Sequence, residues 1–221
     1  MGIVKNIKVI ANQIKENTPE ILFLGAEAIT GNPIAYVRLA DLIEKTVVSI
    51  PDALFYSKLD VFLRGAFQSE DDRAKMNAFL AAEGEKADNC IQILNHINNA
   101  TSKQKVKYLV TATRFALAYD LSLPLYFRVC DAINAVMEDD LQYLADHIMA
   151  IDDMDANHFE ANIHTQKLFS VAAMRTITVI QASGDYAFTP FARVLDACTV
   201  SFRDDARYPN PRIIIDEFKE N

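Results

Sequence analysis

Glycine is scarce in this chain, with 6 in 221 residues, where average usage near 7% gives about 15. That shortage excludes folds that cradle phosphates on glycine-rich strand-to-helix turns. No P-loop, dinucleotide fingerprint or Gly-x-Ser-x-Gly elbow occurs, so no motif implies a cofactor. Tryptophan is absent. The three cysteines, Cys90, Cys130 and Cys198, form no CxxC pair, and an odd count in a chain of this length does not make a disulfide framework. Each lies among apolar neighbours at helical spacing and reads as a buried structural thiol, which fits a reducing, cytoplasmic setting. Basic side chains are outnumbered, 22 against 30 acidic, for a net charge of −8. An acidic surface repels polyanions, which argues against nucleic acid as a partner. No apolar run approaches the ~20 residues of a membrane span. The stretch from Ile21 to Leu24 ends at Gly25 and Glu27, and an integral membrane protein is not expected.

What is present is helical periodicity. Ile3, Ile7, Ile10 and Ile14 form one stripe of an amphipathic, basic helix carrying Lys5, Lys8 and Lys15. Such a helix packs on its own domain, or lies on an anionic membrane surface, a peripheral contact through residues 1–17. Its spaced apolar residues do not make a secretory signal, and Asn6 stands where a myristoylation site needs Ser or Thr. Further helices are expected over 34–49 and, after a break at Ile50-Pro51-Asp52, over the run from Leu54 to Phe67. Ser69 and Asp72 have the spacing of a capping box, and Met76, Leu80, Cys90, Leu94 and Ile97 keep one face apolar. That pattern predicts a single long helix to Ile97.

Thr101-Ser102 starts the next helix, and Ser122 with Pro124 starts another that bears Phe127, Cys130 and Ile133. Asp139 or Asp140 caps a helix carrying Leu141 and Leu144, and a further helix is expected from about Asn157 to Met174. Thr176–Ile180 and Tyr186–Thr189 flank Ser183-Gly184-Asp185 and read as a β-hairpin, after which Thr189-Pro190 opens a closing helix. The fold class is therefore mainly α, a helical region over 1–122 followed by a winged-helix-like module with one small β-hairpin over 123–202. A tail follows over 203–221, in which the triplet from Ile213 to Ile215 reads as a lone strand or an anchor.

The order of elements from Leu125 onward is similar to a winged-helix module. The stretch Thr176-Ile177-Thr178-Val179-Ile180, a turn, then Tyr186 through Leu195 resembles the wing and final helix of such domains. Ala192 stands where their T-x-x-G-x-x-L pattern carries glycine. The helix before the wing offers only Lys167 and Arg175 against Glu160, which favours protein contact over DNA reading. The chain also resembles uncharacterised helical proteins of phages, prophages and bacterial mobile elements. That likeness rests on Ile50-Pro51-Asp52-Ala53-Leu54-Phe55, Phe62-Leu63-Arg64-Gly65, Lys105-Val106-Lys107-Tyr108-Leu109, Tyr126-Phe127-Arg128-Val129 and Asp139 to Leu144. It implies a setting in phage–host or defence interplay and no particular reaction.

The chemistry that the residues offer is thin. Asp152, Asp153, Asp155, His158, Glu160 and His164 are types that ligate Zn²⁺ or Mn²⁺, and Glu160 and His164 would share a helix face at i, i+4. The same acidic residues serve equally as caps and dipole partners for the helix that follows. Tyr119, Tyr126 and Phe127 belong to an aromatic cluster that reads as the core of a helical hairpin or, where exposed, as an anchor for a partner. Three functions follow, in order of support. The first is a non-enzymatic protein-interaction protein with a protein partner, Lys167 and Arg175 being on the contact face and a homo-oligomer being one form of that contact. The others are a metal-dependent hydrolase using His158, Glu160 and His164, and a winged-helix transcriptional regulator.

Overall fold

The structure is a computed structural model that describes residues 18–29, 32, 34, 35, 37, 38, 50–148, 157–177 and 185–220. The basic helix expected at residues 3–14, most of the helix expected over 34–49, and Asp152, Asp153 and Asp155 lie outside the described residues. So does the tip of the hairpin at 178–184. The described chain is mainly helical, with one two-stranded antiparallel hairpin. It divides into two compact units, Met1–Val110 and Thr111–Asn221.

In the first unit α1 (Thr18–Ile29), α2 (Ile50–Ala66), α3 (Glu70–Ala81) and α4 (Lys86–Asn99) precede the start of α5 (Lys103–Tyr119). α4 packs on α1, α2 and α3, burying Ile29, Leu59, Phe62, Met76, Ile93 and Ile97. α2 begins at Ile50, upstream of the expected break, because proline is tolerated in a first turn and Pro51 falls there. Gly65 sets the approach of α2 to the helix beside it, since a Cβ there would lie 2.7 Å from Cγ1 of Val110.

The long helix expected from Ser69 to Ile97 is two helices. Its start is as expected, with Asp72 donating its backbone N–H to Ser69 Oγ at 3.1 Å and returning a carboxylate to Ser69 N at 3.0 Å. The break comes at Gly84, whose φ of +69° belongs to the left-handed region that glycine enters without penalty. Asn89 seals the break, its buried side-chain amide donating to Leu80 O at 2.9 Å and Glu83 O at 2.6 Å. Leu80 is in the last turn of α3, where carbonyls have no partner within the helix. The apolar stripe runs on through both pieces, so periodicity alone does not reveal the interruption.

The second unit holds the end of α5, then α6 (Leu123–Ala135), α7 (Glu138–His147), α8 (Ile163–Ser170), β1 (Met174–Ile177), β2 (Asp185–Phe188), α9 (Pro190–Cys198) and α10 (Pro211–Glu220). α9 packs on α6, α7 and α10, and α8 on α7 and β1. Phe191, Val194, Leu195 and Cys198 of α9 are buried with Tyr126, Val129 and Ile133 of α6. Met174 pairs with Phe188 and Ile177 with Asp185 in the hairpin register. The segment from Ile213 to Ile215 is helical, not a strand. Pro211 supplies a preset φ at the first position, and Ile214 and Ile215 are buried while the Phe218 ring lies 6.1 Å from Phe191.

All three cysteines are free and buried. Burial pushes the Cys90 thiol up to about 11, and it raises Cys130 and Cys198 as well. These thiols have the character of core side chains rather than nucleophiles.

Candidate functional site

The helix expected from about Asn157 to Met174 is confined to α8 by its cap. Asn162 Oδ1 accepts from His164 N at 2.8 Å and Thr165 N at 3.0 Å, and Thr165 Oγ1 accepts from Asn162 N at 2.8 Å. This reciprocal pair satisfies three backbone donors and fixes the first turn. Upstream, Phe159 and Tyr186 exchange backbone hydrogen bonds of 2.9 and 2.8 Å, so this residue is extended beside β2. Glu160 therefore precedes the helix and does not share an i, i+4 face with His164. At the other end Ala172, with φ +60°, turns the chain, and Ala173 N closes on Leu168 O at 2.9 Å. The chain then enters β1 directly.

His164 is held by a residue that the sequence pattern did not connect with it. Its Nδ1 lies 2.8 Å from Oδ1 of Asp140, a buried carboxylate whose Oδ2 accepts from Met137 N at 2.7 Å at the head of α7. A carboxylate only accepts, so Nδ1 of His164 is the donor in this contact. Tyr143 stacks on His164 at 5.0 Å and on His147 at 4.0 Å, and His147 Nδ1 lies 2.7 Å from the carbonyl of Tyr143. An Asp–His pair of this kind orients a ligand or a base. Among the described residues, however, no group of three His, Cys, Asp or Glu side chains is placed to hold a metal. His158 and Glu160 are exposed.

The outward face of α8 carries Ile163, Gln166, Lys167 and Ser170, all exposed and at helical spacing. Ile163 is 68% exposed, and Phe169 is 45% exposed while its ring meets Tyr186 of β2 edge-on at 5.6 Å. On β1, Arg175 and Thr176 are exposed as well. Lys167 on α8 and Arg175 on β1 are thus both on the surface. The aromatic cluster lies elsewhere. Tyr126 and Phe127 are buried, the Tyr126 hydroxyl lying 2.9 Å from Thr113 Oγ1, and half-buried Tyr119 packs at 4.8 Å on Phe115.

Set against family models, curated proteins and solved structures, the chain matches none of them. Its function is argued from its own side chains.

A second polar centre has no precursor among the expected sites. Asp196 sits on α9 with no exposed surface and gathers three donors: Ser201 Oγ at 2.9 Å to Oδ1, and Arg207 Nη1 at 3.1 Å and the Tyr208 hydroxyl at 2.7 Å to Oδ2. Burial raises the Asp196 carboxyl above the usual range, against the lowering pull of Tyr208, Ser201 and Arg207. Burial and the Asp196 charge raise the Tyr208 hydroxyl in turn. The signal was present in the sequence: a lone carboxylate between Leu195 and Ala197 on an apolar face needs partners if it is buried.

Proposed function

We propose that the chain acts by binding another protein through the face formed by α8 and the β1–β2 hairpin. The observation that carries this reading is the exposure of two large apolar side chains of α8, Ile163 and Phe169. Large apolar side chains beside a polar rim are what a protein contact uses as anchors. Duplex DNA asks for something else, several phosphate contacts from clustered lysines and arginines. Lys167 and Arg175 are few for that purpose on a chain of net charge −8. The setting proposed with it is a bacterial or phage-infected cytoplasm, supported by three free buried thiols and by the resemblance to mobile-element proteins.

A photo-crosslinking residue placed at Phe169 tests the reading in the native cell, with the same residue at exposed Lys75 of α3 as control. The expected result is one discrete protein adduct at position 169, absent at position 75 and lost with Ile163→Asp. Equal, diffuse labelling at both positions would overturn it. So would a duplex-DNA shift at low salt that disappears when Lys167 and Arg175 are both changed to Glu.

A further inference from the structure

Away from that face, α10 is joined to its unit through a link that differs from the chain on either side of it. Upstream the chain is pinned as far as Tyr208. Arg207 Nη1 donates to Ala145 O at 2.7 Å and to Asp196 Oδ2 at 3.1 Å, and the Tyr208 hydroxyl donates to the same Oδ2 at 2.7 Å. The next residues are Pro209, Asn210 and Pro211. Both prolines lack a backbone N–H, so this link has little hydrogen bonding to lose when it turns. Pro209 and Asn210 are exposed, and Asn210 O accepts from Ile213 N at 3.1 Å, a bond of the first turn of α10 that travels with the helix. A few residues at the end of an element are all that a hinge requires.

Beyond the hinge, α10 is held by a narrow apolar contact and by ion pairs at the surface. Ile214 and Ile215 are buried, and the Phe218 ring lies 6.1 Å from that of Phe191 on α9. The Arg128 guanidinium lies over both rings, 4.4 Å from Phe191 and 5.4 Å from Phe218. The ion pairs that tie the helix are Arg193 with Glu217 at 3.2 Å and Arg212 with Asp120 at 3.1 Å, the second between two exposed side chains. Such pairs add little, because water competes for them and long side chains must be ordered to make them. A pocket of about 160 Å³ lies where the hinge meets the helix, lined among others by Pro209, Asn210, Ile213, Ile214, Ile148 and Arg193. The start of α10 thus lacks the close packing that locks a core element. α9, in contrast, packs on α6 and α7 as well as on α10, with Phe191, Val194, Leu195 and Cys198 buried.

We infer that α10 is a strap, a helix that opens as a unit about Pro209 and Asn210 while the chain up to Tyr208 and the rest of the unit stay folded. Opening lifts Phe218 from Phe191. The device is separate from the contact face on α8 and does not depend on it.

Native-state hydrogen exchange of the full chain, read residue by residue by NMR, tests the inference. Segments that open below global unfolding exchange their amides together and ahead of the core. Ile215, Asp216, Glu217 and Phe218 are expected to share one protection factor, at least about tenfold below that of Val194 and Leu195 in α9. Phe218→Ala is expected to lower protection in α10 by a further factor of about ten and to leave α9 unchanged. Equal protection in α9 and α10 would overturn the strap, since the helix would then open only with the whole unit. Protection that falls steadily toward Phe218 would overturn it too, as fraying from the end, and so would an equal loss in both helices on Phe218→Ala.

Discussion

The Tyr208 hydroxyl donates to Oδ2 of Asp196 across 2.7 Å, and it does so from the stretch that links α9 to α10 to a carboxylate with no exposed surface. The bond ties a loop without periodicity to the core. Tyr208→Phe leaves Asp196 one donor short and is expected to lower stability by about 1–3 kcal/mol, read from urea denaturation.

The same carboxylate gives stability a pH dependence of known sign. Burial raises its folded-state pKa above the ordinary 3.8, so the folded state holds a proton that the unfolded chain has already released. The stability from that proton is present in acid and is lost as pH rises from about 4 through the raised value. Asp196→Asn does not titrate. Unfolding free energies measured side by side from pH 4 to 7 are expected to show wild type losing ground to the Asn variant as pH rises, and a trend in the opposite direction refutes the assignment.

Gly65→Ala sets a methyl 2.7 Å from Cγ1 of Val110. Both carbons are on short, stiff side chains, so backbone must move, at a cost of about 1–3 kcal/mol. Val110→Ala removes the obstacle. The double variant is expected to unfold at a higher temperature than Gly65→Ala alone, a coupling that calorimetry would detect.

Ala172 turns the chain out of α8 with φ +60°, a conformation that costs a residue with Cβ about 1–2 kcal/mol. Glycine enters it freely but gives back part of the gain as unfolded-chain entropy. Ala172→Gly is therefore expected to stabilise the protein by about 0.5–1 kcal/mol, seen as a raised denaturation midpoint with unchanged slope.

Asp140 serves two elements at once, capping α7 through Met137 N and holding His164 of α8. Asp140→Ala is expected to cost about 2–3 kcal/mol, more than the loss of an isolated cap. His164→Ala is expected to cost less, since it leaves the cap in place. The two variants and their combination form a thermal-denaturation cycle that separates the roles, and purely additive losses would show that the pair is not coupled.

Several helices and the hairpin were legible because each declares itself locally: Ser69 and Asp72 by spacing, Thr189-Pro190 by the residue that begins α9, and the β-branched run from Thr176 by its composition, whereas α10 reads as a strand or anchor from its isoleucine triplet. The break at Gly84 was not, because the apolar stripe keeps phase across it and the residue that seals it, Asn89, acts from the next helix. Phe159 failed for a related reason. Its partner Tyr186 is distant in sequence, and nothing in the intervening residues announces the pairing. Lys167 and Arg175 are exposed, as lysine and arginine ordinarily are. Asp140 with His164, and Asp196 with Arg207 and Tyr208, were hidden because a polar group's partners in three dimensions leave no periodic trace.

The pairing of Phe159 with Tyr186 bears on how copies of the chain behave when crowded. A strand at the rim of a sheet offers its outward amides as a template for any other extended segment. On β2 those amides are taken: Tyr186 N bonds to Phe159 O at 2.8 Å and Phe188 N to the side chain of Asn157 at 3.0 Å. A few residues of extended chain thus imitate a third strand and blunt that rim. That cover withholds the outward amides of β2 from a second copy, and on β1 exposed Arg175 sets a charge where such pairing would begin.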